Sequence, residues 1–235
     1  MVKTSERVAQ RIVHDIVAGG LTAGGRLPAE AAMLADYRVS RSSLREALRL
    51  LEVQGLISLK PGPGGGPVVG EVDESNLART QALYFHLGGM TYGELFETQS
   101  EIEPLCAELA ARNATPEDLK AAFSPFLAPD VPVSGDLYHP SAHEFHVQVH
   151  RLAGNRIVAL LAGAVSHIVS SHVIATMDPV DLRPRVVDEH RAIARALIRG
   201  NGRRARELMT AHYVGLSDYY RKNWPGRFDE LVEWR

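Results

Sequence analysis

The chain has 235 residues, 45% of them hydrophobic, with 26 Lys and Arg against 28 Asp and Glu and one cysteine. That length serves two cores and is short for three, and a lone Cys106 excludes an internal disulfide framework. No uninterrupted apolar run of about 18 residues is read, and MVKTSERVAQR lacks the apolar stretch of a signal peptide, so the expectation is a cytoplasmic protein without membrane contact. Charge is unevenly divided: residues 1–70 hold nine Lys and Arg against six Asp and Glu, a surplus of +3, which leaves −5 for the rest. Positive charge in the front third is where a polyanion would sit.

The first predicted helix covers residues 6–18, with Val8, Ile12, Val13 and Ile16 at helical spacing and Gly19-Gly20 as its stop. A second opens at Pro28, whose missing N–H is one that a first turn leaves unbonded. Its apolar positions are Ala32, Leu34 and Ala35, and a turn follows at 36–39. Ser40 then caps a third helix through its hydroxyl, giving a helix-turn-helix over about 30–49. Leu44, Leu48 and Leu51 form a core stripe there. The other face is Arg41, Ser42, Ser43, Arg45 and Arg49, which by itself is also the face of an ordinary solvated helix. Its neighbours argue for DNA, because arginine pairs with guanine O6 and N7 while hydroxyls at a helix start hold phosphates beside free N–H groups. Residues 56–60 and 67–69 read as two strands joined by a glycine-rich tip at 62–66. Such a tip lets backbone approach a sugar–phosphate surface, with Lys60 beside it as a phosphate contact. The front domain is therefore 1–70, a winged helix-turn-helix with a small β-hairpin wing.

A polar linker is read at 71–76, and an all-α domain of six or seven helices from 77 to 235. Helices are expected at 77–87, 91–113 and from Thr115-Pro116 onward, then at 140–152, 156–176, 181–200 and 202–223. Residues 124–139 carry three prolines and are read as a loop. Nine of the ten histidines lie beyond residue 80. His143, His146 and His150 share one helix, while His190 and His212 sit in two others. Imidazoles from separate helices of a bundle make a nitrogen site for zinc, nickel or related ions; a polar cavity of hydrogen-bonded histidines is the alternative.

LPAE, VSRSSLREALRLL and QGLI resemble the winged helix-turn-helix of the GntR family over about residues 5–70. The resemblance implies that Ser40, Arg41, Ser42, Ser43 and Arg45, with Gly62 in the wing, touch a double-stranded operator. ELFETQSEIEPLCAELAA, FHVQVHRLAGN, DEHRAIARALIRGN and ARELMTAHY resemble the FCD ligand-binding domain found in that family's FadR subgroup. This implies a metal site that includes His146, His190 and His212, with Asn155 in the effector region. The family's metal-binding aspartate is replaced by Ala142, and His143 follows one residue later. Gln99 stands where the family has an arginine that holds an anionic effector, and Ala31 where many members have an operator-contacting arginine.

The resulting expectation is a homodimeric transcriptional regulator, a repressor in sense, that reads an inverted repeat and senses a small carboxylate effector through a divalent transition metal, zinc or nickel. Gln99, His143 and Asn155 are the expected effector contacts. An acyl-CoA-responsive regulator without metal is an alternative. A metal-dependent hydrolase is another, but Glu144, the one carboxylate in HEFH, is turned away from the histidines, so no general base is supplied.

Overall fold

The computed structural model describes residues 3–235 other than 63, 64, 72 and 178. The chain divides into two compact units, Met1–Asn76 and Leu77–Arg235.

The first unit holds α1 (Thr4–Ala18), α2 (Glu30–Tyr37) and α3 (Arg41–Val53), then β1 (Ile57–Lys60) and β2 (Gly66–Val69). Val8, Ile12, Met33, Leu44, Leu48, Leu51 and Ile57 build its core. The stripe expected in α3 is buried, but α2 turns differently from expectation. Ala32 and Ala35 are exposed, while Met33 and Tyr37 point inward; the Tyr37 hydroxyl donates to Asp15 Oδ2 at 2.7 Å. Pro28 lies before the cap residue Ala29 and not inside the first turn. α2 closes at Arg38 in the left-handed region, φ 53°, a conformation that costs energy for a residue with a Cβ. β1 and β2 pair antiparallel, Ile57 with Val69 and Lys60 with Gly66. The N–H of Leu27 donates to Pro67 at 3.0 Å and that of Val69 to Gly25 at 2.8 Å, so residues 24–27 cover the free edge of β2. A Cβ on Gly65 would lie 2.2 Å from the Lys60 carbonyl, so only glycine closes the hairpin this tightly.

The next helix, α4 (Glu74–Leu87), begins inside the expected linker. The reason is Asp73, whose carboxylate accepts from the N–H groups of Ser75 and Asn76 at 3.1 and 3.3 Å and so caps the helix. α5 (Tyr92–Asn113) is started by a reciprocal Thr91–Glu94 capping box, and α6 (Pro116–Phe123) by Thr115. The expected loop at 124–139 contains a 3-10 turn, Ser124–Leu127. α7 (Tyr138–Leu152) starts two residues early, because Pro140 falls in its first turn, where no N–H is required. α8 (Arg156–Val169) passes through a π-helical turn, Ser170–Ile174, into the short α9 (Ala175–Met177). A 3-10 turn, Val180–Leu182, precedes α10 (Arg183–Ile198). α11 (Gly202–Asn223) and the short α12 (Pro225–Asp229), which the sequence reading did not include, complete the unit.

Among the described residues of this unit, seven helices have eight or more residues. α5 is central and packs on α7, α8 and α11. Phe123, Phe126 and Phe145 fill one core with small residues of α5 and α10, and Phe96, Tyr220 and Phe228 fill a second. The expectation that no segment has the length and apolarity of a membrane span needs correction. Arg156–Met177 has 22 residues, and its most apolar 18-residue window has a mean hydropathy of 1.9, with half of that window buried in the protein. Its apolarity serves packing against α5 and α7.

Candidate functional site

On the first unit, Ser40 caps α3 by accepting from the Ser43 N–H at 3.2 Å. Its hydroxyl also lies 2.9 Å from that of Ser42 and 3.0 Å from that of Ser43, so three hydroxyls gather at the helix start. Arg41, Arg45 and Arg49 are exposed on the same helix, and Lys60 and Gly62 are exposed on the wing. Arg45 has a second role absent from the sequence reading: its Nε meets Glu30 Oε1 at 3.3 Å and ties α3 to α2.

On the second unit, α7, α10 and α11 each bring one buried imidazole to a common point. One ring nitrogen from each of His146, His190 and His212 lies within 4.8 Å of the others. His190 is held flat on Phe145, with ring centroids 4.1 Å apart and planes 11° from parallel. The Nε2 atoms of His190 and His212 are buried and have no hydrogen-bond partner among the described residues. Burial, followed by the neighbouring imidazoles, pushes the His190 pKa well below the usual value. Burial also lowers that of His212, against the opposing pull of Glu189. Both rings are thus neutral near pH 7, the state in which imidazole ligates metal.

This donor set fits a divalent ion of the zinc type: three imidazole nitrogens on three helices, two of them buried and without a partner among the described residues. Zinc–nitrogen bonds of about 2.0–2.1 Å put tetrahedral neighbours about 3.4 Å apart, so small rotamer shifts inward would complete the site. The histidines open onto a cavity of about 660 Å³, counting its mouth, whose wall includes Phe96, Tyr138, Ser166, Val169 and Leu216.

Two carboxylates stand behind the imidazoles. Glu103 is fully buried and shares its oxygens between His146 Nδ1 at 3.2 Å and His150 Nε2 at 2.9 Å. Burial works to raise its pKa, but the two facing imidazoles outweigh that and hold it well below the carboxylate range. Glu189 meets His212 Nδ1 at 2.7 Å. Neither was anticipated. Glu103 had a readable signal, since Phe96, Gln99, Glu103, Cys106 and Ala110 follow the three- and four-residue spacing of α5's buried face. Cys106 is a buried thiol whose pKa is pushed up to about 12 by burial and by Glu103.

Of the expected effector contacts, Gln99 is buried and lines the cavity with an unpartnered Oε1, and half-buried His143 lines it too. Asn155 does not. It is exposed and caps α8, accepting from Ile157 and Val158 N–H at 3.1 and 3.2 Å, and is not part of this cavity's wall. Ala142 faces the cavity without a ligand atom. Glu144 is exposed and bonded to Gln148, away from the imidazoles.

The FCD domain family matches residues 94–215, and the family of bacterial regulatory proteins of the gntR type matches residues 4–65. The HTH-type transcriptional regulator LutR of Bacillus subtilis is 26% identical over 92% of this chain and 98% of its own length. The Exu regulon transcriptional regulator of Escherichia coli is 26% identical over 88% of this chain and 80% of its own. Among solved structures, a GntR protein of Streptococcus agalactiae superposes with a TM-score of 0.70 at 24% identity, covering 92% of this chain and 99% of that one, which supports the fold. With a winged head and a helical bundle matched in that order, the chain belongs to the GntR family of bacterial transcriptional regulators that carry an FCD domain.

Proposed function

We propose that this regulator is of the FadR subgroup, acts as a homodimer on an inverted-repeat operator, and responds to a small carboxylate that binds beside a divalent metal, zinc or nickel. The observation that carries the sensing half is the convergence of His146, His190 and His212 on one cavity. When bound, such an ion supplies positive charge and open coordination positions to an oxygen-bearing effector. The chain's own residues do the rest. Phe96, Val169 and Leu216 exclude water from the apolar part of the ligand. Gln99 offers a buried acceptor to a hydroxyl or amide donor, and the effector's charge falls to the metal because Gln99 itself carries none.

On the head, Arg41, Arg45 and Arg49 approach base edges and phosphates, Ser40, Ser42 and Ser43 hold phosphate at the start of α3, and Lys60 and Gly62 bring the wing to the backbone. Effector binding alters operator affinity to the extent that the two binding events share free energy.

The test of the sensing half is thermal melting with and without added zinc or nickel, in the native protein and in His190→Ala. Metal is expected to raise the native melting temperature and to leave that of the variant unmoved, since a ligand stabilises only the form that binds it. Equal shifts in both proteins, or none in either, would remove the three-histidine site.

A further inference from the structure

We propose that Glu103 and Glu189 are the positioning carboxylates of the histidine centre, each fixing one imidazole with its proton on Nδ1 so that Nε2 faces the cavity with a free lone pair; the proposal rests on the metal reading above. Imidazole has two nitrogens, and the partner of one decides what the other offers. For His146 the nearer partner is Glu103 Oε2 at 3.2 Å, with the Tyr213 hydroxyl 3.4 Å from the same nitrogen, and for His212 it is Glu189 Oε2. Both bonds reach Nδ1. A carboxylate accepts and does not donate when ionised, so each Nδ1 is the protonated one and each Nε2 is left as the acceptor.

The two carboxylates are themselves anchored. Glu103 cannot rotate freely, because its second oxygen is bonded to His150 and the side chain is fully buried in α5. Glu189 is held on α10 by Arg185, whose Nε lies 2.7 Å from its other oxygen. The Arg185 guanidinium in turn occupies the space above Gly215, where a Cβ would fall 1.9 Å from its Nη2. A line of contacts therefore runs from the bare backbone of α11 at Gly215, through Arg185 and Glu189 on α10, back to His212 on α11. No carboxylate joins the three imidazoles as a ligand among the described residues. The negative charge the centre needs comes from behind the rings.

The test combines metal affinity with a direct reading of the proton. In metal-free protein, nitrogen-15 NMR of labelled histidine is expected to find His146 and His212 protonated on Nδ1, with each ring assigned by its own His→Gln variant. A proton on Nε2 of either ring overturns the proposal, and this reading needs no substitution at buried Glu103. Zinc affinity, measured against a chromophoric chelator, is expected to fall about 10–100-fold in Glu189→Ala, the usual cost of losing such a partner. Glu189→Gln, which keeps an acceptor oxygen, should recover part of that loss, and Asp188→Ala, on the exposed side of the same helix, should bind as the native protein does. Native protein that takes up no zinc removes the metal reading itself. Native protein that binds zinc, with Glu189→Ala binding it equally well, removes the positioning role alone.

Discussion

His172, in the π-helical turn after α8, is a histidine the fold holds for a reason unrelated to the cavity. Its Nδ1 lies 3.1 Å from the Tyr92 hydroxyl. Burial lowers its pKa first, and Arg235, Arg227 and His167 add to the effect while Glu233 opposes it. Since the folded protein prefers the neutral ring, its contribution to stability is complete above the unfolded value of about 6.5 and is lost as pH falls below it towards the folded pKa. Urea midpoints of chelator-treated protein at pH 7.5 and 5.5 should therefore fall further in the native chain than in His172→Gln. Equal falls would mean that other groups carry the acid sensitivity. At this scale the sequence was legible where it resembles a known pattern, as for the three cavity histidines. It was opaque where a contact crosses helices: Glu103 meets His146 at a separation of 43 positions and Glu189 meets His212 at 23, and no local pattern reports such pairings. Asn155 is the local counterpart, a residue in a recognisable turn whose side chain is bonded to the helix next to it.

α3 and its wing are the elements whose chemistry is most open to test. If Arg41 makes a two-hydrogen-bond contact to a base, Arg41→Ala should weaken operator binding by about 1–3 kcal/mol and relax preference at one base pair. Lys60→Ala should weaken all sequences alike and flatten the salt dependence. Electrophoretic or anisotropy titrations on the operator and on scrambled DNA distinguish the two; unchanged operator affinity in Arg41→Ala would end its assignment to the groove. Arg45 is the poorer probe, because its substitution also removes the bond to Glu30, although an exposed pair of this kind contributes under about 1 kcal/mol. Helix existence and type were readable from caps and apolar spacing: Ser40, Thr91 and Thr115 all cap the helices they precede. What escaped was local geometry without a spacing signature. The π-helical turn, the 3-10 turns and the inward rotation of Met33 and Tyr37 are set by packing against neighbours that the local sequence does not name.

For the whole molecule, a dimer is expected because a single head carries too little sequence information. One recognition helix contacts few base pairs, and two heads related by a two-fold axis read an inverted repeat with half-sites about one helical turn apart. Light scattering is expected to give twice the chain mass, and footprinting to give symmetric protection of two half-sites. Protection of a single half-site by a monomer would count against it. The division into two units at residue 76 has a further consequence when the path of the chain is followed to Val232. That residue is fully buried, its N–H donates to Met90 at 2.9 Å, and the Tyr92 N–H donates to Glu230 at 3.0 Å. The Glu233 N–H reaches the Tyr92 hydroxyl across 141 positions. The start of the central helix is thus sealed by residues synthesised long after it. During translation the DNA-binding unit has all of its own core once residue 76 has cleared the ribosome, whereas the bundle stays unsealed around Tyr92 until residues 230–233 emerge. Domains tend to fold as units in the order they are made, so each nascent chain passes through an interval in which the part that grips DNA is finished and the part that senses the signal is not.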